Sequence, residues 1–130
     1  MNEFKNNTDL RLEILGPLDT LLKRGDMAYK NYISNGKTLL YAKVIKNNNE
    51  KIRTLILDKS HLLPFEYHSY AIDLVSHIDI WHVIWEDLFM SKKFSLDDEF
   101  VFENKATFPK ESVASLCLLY RELNDSASIK

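Results

Sequence analysis

The sequence predicts an α+β fold: a small antiparallel sheet of two or three strands, packed with an N-terminal helix, a long central helix and a C-terminal helix. Three observations predict it. Two runs rich in Leu, Ile, Val, Thr and Tyr, 38–45 and 51–57, flank the polar stretch Lys46-Asn47-Asn48-Asn49-Glu50. An apolar stripe at helical spacing passes through Tyr67, Ala71, Leu74, Ile78, Trp81, Trp85 and Leu88. Chain breakers are scarce: the 130 residues hold three glycines and three prolines, and no glycine follows Gly36. A chain of this length is expected to form one domain, 1–130, around a single core.

Taken in order, residues 1–8 read as a polar, mobile lead-in. Leu10, Leu12 and Ile14 alternate as in a strand, whereas Leu10, Ile14 and Leu18 keep helical spacing, and both readings stand. Pro17 suits the first turn of a helix. Leu18, Leu21, Leu22, Ala28, Tyr29, Tyr32 and Ile33 then continue its apolar face. Gly25 weakens that helix by about 1 kcal/mol relative to alanine and marks a place for it to bend or divide. Asn35-Gly36 closes it.

The two β-like runs form the expected central hairpin, 38–57, with asparagine adopting the left-handed backbone of its loop. Pro64 opens the long helix, about 65–90 and about 39 Å long. Ile72, Val75, Ile80, Val83 and Ile84 widen its stripe, so two buried faces are expected, with a break near His77 to Asp79. Glu99 to Glu103 reads as a short strand. Pro109 starts the last helix, about 109–124, and 125–130 should fray.

Composition excludes several chemistries. The glycines are too few and wrongly spaced for a phosphate-cradling loop. The single cysteine, Cys117, forms no internal disulfide and sits among Val113, Leu116, Leu118 and Leu119, as a core thiol would. Nucleophile and zinc signatures are missing. The first residues lack the apolar core of a signal peptide, and no apolar run approaches a membrane span. The expected location is cytoplasmic, with no membrane association.

The net charge of −2 argues against general nucleic-acid binding, but its spread is uneven. Residues 37–59 carry six bases and two acids, and residues 86–103 carry six acids and two bases. Asp97, Asp98, Glu99 and Glu103 lie among Phe94, Phe100 and Phe102, which suggests an acidic, aromatic-flanked surface for a basic protein. Tyr67 and Tyr70 are the other candidates for exposed aromatic contact. The function expected from this is a small bacterial inhibitor of the immunity or antitoxin kind. It would neutralise a toxin such as a nuclease by steric occlusion, with no cofactor. A different class of reading places a metal or an acid–base dyad on Asp79, His82 and Glu86, with Asp73 and His77 as a second pair. A third has Lys43, Lys46, Lys51 and Arg53 tracking phosphate. Trp81 and Trp85 fall on the core stripe, and the long helix's second apolar face offers a surface for a homodimer.

Overall fold

The computed structural model describes residues 7–128, and among them the chain is helical with no sheet. Four helices follow one another: α1 (Gly16–Ser34), α2 (Leu39–Lys59), α3 (His68–Ser91) and α4 (Lys110–Ser128). A π-helical turn, Leu10–Leu15, leads into α1, and two 3-10 turns, Ser60–Leu62 and Phe65–Tyr67, join α2 to α3. The α+β expectation is therefore corrected. Residues 39–57 of the expected hairpin lie in one continuous helix, and the expected strands reduce, among the described residues, to a single antiparallel bridge between Thr38 and Glu99.

The reason lies in what the asparagines meet. Leu39, Ala42, Ile52 and Ile56 of α2 are buried, and Asn48, facing α1, is buried as well at 0% exposure. A buried carboxamide is tolerated only when its hydrogen bonds are made. Asn48 Nδ2 donates to the Leu21 carbonyl at 2.9 Å, and its Oδ1 accepts from the Arg24 guanidinium at 2.9 Å. Gly25 makes room for this contact, because a Cβ there would stand 2.6 Å from Asn48 Nδ2. So α1 neither divides nor ends at Gly25; the glycine is the point of close approach between α1 and α2. Val44 and Leu57, which look strand-like in sequence, lie on the exposed side of α2.

The N-terminal ambiguity resolves as helix. Proline clashes with the carbonyl four residues back in a regular α-helix. Here the wider π turn precedes Pro17, with the Gly16 N–H donating to Arg11 across it. A Cβ on Gly16 would come within 2.9 Å of that carbonyl. At its other end α1 stops as expected. Gly36 takes φ 83, Lys37 takes φ 55, and the Lys37 N–H donates to the Tyr32 carbonyl at 2.9 Å, a Schellman closure.

The main core gathers Leu10, Ile14, Leu15 and Leu18 with Ile52 and Ile56 of α2, Ala71, Leu74, Val75 and Ile78 of α3, and Leu116 and Leu119 of α4. A second cluster, Leu39, Ala42, Trp85 and Phe100, lies at the far end of α3. Trp85 is thus a core side chain and Trp81 packs half-buried beside it. The long helix runs unbroken through His77 to Asp79. It buries one face rather than two: Ile72, Ile80, Val83 and Met90 stay exposed. Residues 7–9 and 125–128 are helical, and the remainder of both expected mobile ends lies outside the described residues. No described helix is long and apolar enough to cross a membrane.

Removing the Asn48 carboxamide should cost about 1–3 kcal/mol, since it strands the groups it satisfies. Gly25→Ala should also destabilise, although an alanine in an open helix would gain up to about 1 kcal/mol. Urea unfolding followed by circular dichroism reads both. A Gly25→Ala protein more stable than its parent would contradict the close approach.

Candidate functional site

Residues 92–109 form a non-helical strap from α3 to α4, and the expected acidic surface lies on it. Its fixed point is Phe100, at 0% exposure. The Phe100 ring packs 4.8 Å from Trp85, 5.1 Å from Phe94 and 6.2 Å from Phe102, centroid to centroid. Aromatic clusters at these spacings add to the stabilisation from burial.

The strap backbone is held as firmly as its ring. The Phe100 N–H donates to the Lys37 carbonyl at 2.8 Å. In return the Leu39 N–H donates to the Asp98 carbonyl at 2.9 Å, and the Leu40 N–H to the Leu96 carbonyl at 3.0 Å. These are amides at the open start of α2, which Thr38 does not cap with its side chain. The Tyr32 hydroxyl donates to the Phe100 carbonyl at 2.5 Å. Burial, with Tyr29 and Glu99 adding, holds the Tyr32 phenol above its usual value, so it remains a donor.

What faces outward differs from the expectation in one respect. Asp97, Asp98, Glu99 and Glu103 are exposed, as a docking surface needs. Asp98 also serves the strap's own turn: its carboxylate accepts the Ser95 N–H at 2.8 Å, and this bond lowers its pKa. The aromatics, however, point inward. Phe100 is core, and Phe94 and Phe102 are half-buried against it. The exposed apolar side chains near these acids are Leu96 and Val101 on the strap, with Leu40 and Val44 on the adjoining turn of α2; Phe108, also exposed, lies at the strap's other end. Charge patterning alone carries no signal for these four.

Tyr67 and Tyr70 do not join this surface. They stack edge to face at 5.6 Å, half-buried against the main core. They lie at the opposite end of α3, about 30 Å along the helix from the strap.

The second candidate set meets cations rather than an open site. Arg53 Nε lies 2.6 Å from an Asp79 oxygen, and Lys46 Nζ lies 3.2 Å from Glu86 and 2.5 Å from Glu50. An ammonium and a guanidinium thus pair with two of the three side chains of this set. Among the described residues no group of three metal-type side chains converges. Asp73 is not paired with His77; it accepts from the Ser112 hydroxyl at 2.8 Å. His77 instead packs edge to face on Phe108 at 5.4 Å. His82 stands 5.4 Å from Trp81, and burial, then the nearby Lys46, lowers its pKa. Burial lowers that of His77 as well.

The same contacts reassign the basic set. Lys46 lies over the Trp85 ring at 5.2 Å and Lys43 over Phe89 at 5.5 Å, so these bases and Arg53 contact α3 while Lys43 and part of Arg53 stay open to solvent. Lys51 remains exposed. The basic and acidic halves of the sequence therefore fold partly against each other. Cys117 is half-buried, and burial pushes its thiol up, away from a reactive thiolate. Comparison with known protein families, curated proteins and solved structures yields no match.

The two histidines set a pH dependence. The fold holds both imidazoles below the ordinary value, so protons bind the unfolded chain more readily below about pH 6.5. Their contribution is complete above that pH and is lost as pH falls. Chemical unfolding from about pH 7.5 down to 5 should show a declining midpoint. The His77→Gln/His82→Gln protein should decline less steeply, and an equal slope would contradict the burial argument.

Proposed function

We propose that this chain is a protein-binding module that neutralises a basic partner, in the manner of an immunity protein or antitoxin, by laying the strap across the partner's working surface. One observation carries the reading: exposed Asp97, Glu99 and Glu103 stand on a backbone fixed by buried Phe100 and its hydrogen bonds to Lys37 and Tyr32. A surface already ordered before binding loses little conformational entropy on association. A row of one charge sign accelerates encounter with the opposite sign and rejects like-charged competitors. Leu96, Val101 and Leu40, rather than the inward phenylalanines, supply apolar contact beside the acids.

The fitting partner class is a protein with a cationic, phosphate-handling surface, of which a nuclease toxin is one example. Occlusion needs no bond made or broken by this chain, and the acids need only match the lysines and arginines that would otherwise hold phosphate.

Charge reversal gives the test. The wild-type chain and the Asp97→Lys/Glu99→Lys/Glu103→Lys variant are each used to capture partners from cells of the source organism. Wild type should retain a basic protein, and the variant should lose it by about tenfold or more. Stability should change by no more than about 0.5 kcal/mol, because the substituted side chains are exposed. A variant that retains every protein held by wild type sinks the proposal.

A further inference from the structure

A second surface lies on α3, away from the strap acids. Ile72 is 62% exposed, Ile80 50%, Val83 70% and Met90 77%. With exposed Ser76 and Asp87 they form the outward row of the helix, at steps of 4, 4, 3, 4 and 3 residues. Both flanks of that row are engaged within the fold. On one side Asp79 and Glu86 meet Arg53 and Lys46; on the other Asp73 meets Ser112 and His77 meets Phe108. The row between them has four large apolar side chains and no cover among the described residues.

The order of the row selects its occupant. From either end it reads apolar, polar, apolar, apolar, polar, apolar. A surface that binds its own copy about a two-fold axis must be complementary to itself. We propose that α3 pairs antiparallel with α3 of a second copy of this chain, the two-fold axis passing between Ile80 and Val83. In that register Ile80 lies on Val83 of the second copy, and Ile72 lies opposite Met90. Asp87, the row's one charge, lies opposite Ser76, whose hydroxyl donates to it. A parallel pair would instead set Asp87 against Asp87, a like-charge contact that disfavours that arrangement. The antiparallel pair also puts exposed Lys93, just after α3 of one copy, at the same end as exposed Glu66 in the 3-10 turn before α3 of the other.

The overlap from Ile72 to Met90 is about 28 Å of helix. One helix pair of that length buries less than the roughly 800 Å² per partner of a standard interface, so the dimer should dissociate on dilution.

Sedimentation of the full chain from about 5 to 500 µM tests this. Wild type should pass from monomer to dimer within the range. Ile80→Glu and Val83→Lys, both at exposed positions, should each weaken the dimer by about tenfold or more while leaving the circular dichroism of the fold unchanged. An equal mixture of the two should recover association, because the new carboxylate and the new ammonium face each other at one of the two equivalent contacts. A wild-type chain that stays monomeric throughout overturns the proposal. So does a dimer indifferent to both substitutions, or a mixture no more associated than its components. None of these outcomes bears on the strap, whose acids are untouched.

Discussion

The start of α2 is the constraint on which the strap end of the molecule depends. A helix begins with backbone N–H groups that have no partner within it, and those not reached by water must find one elsewhere. Thr38 is suited to this work by residue type, yet its side chain makes no capping bond. The carbonyls of Asp98 and Leu96 take its place, more than fifty residues along the chain. Because they are backbone atoms, they fix the path of the strap itself. The return bond from the Phe100 N–H to Lys37 closes the arrangement, and it reaches a residue held at φ 55 by the turn that ends α1. A left-handed lysine is an unfavourable conformation, sustained here by the Schellman closure on one side and the strap on the other.

From that junction the rest of the acidic surface follows. Phe100 enters the space between α2 and α3 and becomes the centre of the second cluster, so Phe94 and Phe102 turn inward with it. The four carboxylates are left outside on a backbone with little freedom. Along the α2–α3 seam the same logic applies to charge. Lys46 and Arg53 face Glu86 and Asp79, and Lys46 is also set by the Trp85 ring and Glu50. These pairs are partly exposed, so each contributes modestly, and their main effect is to fix which face of α2 meets α3.

How much of this was legible in the sequence depended on whether the deciding partner was local. The end of α1 at Asn35-Gly36, the length of α3 and the start of α4 near Pro109 are governed by periodicity and by residues within a turn or two, and they were read to within about three residues. The nature of α2 was not, because Asn48 belongs in a helix only by virtue of Leu21, Arg24 and Gly25 on another helix. Its apolar spacing, Leu39, Ala42, Ile52 and Ile56, was a helical signal. The asparagine run and the β-branched residues concealed it. For the strap, charge was legible and orientation was not. Alternation placed Phe100 and Phe102 on one side, but nothing in the sequence said which side was outside. The isolated Thr38–Glu99 bridge is what remains of the expected sheet: both residues were assigned to strands, and they do pair, over a single step.

The central claim is that the strap and the start of α2 are one hydrogen-bonded unit closed by Phe100. Native-state hydrogen exchange at the Leu39, Leu40 and Phe100 amides tests it most directly. In the wild-type chain these three should exchange slowly and together, as a cooperative unit does. In Phe100→Ala they should lose protection together while the amides of α3 around Ala71 to Ile78 keep theirs. Rapid exchange at Leu39 and Leu40 in the wild type, at the rate of an open helix end, would contradict the account.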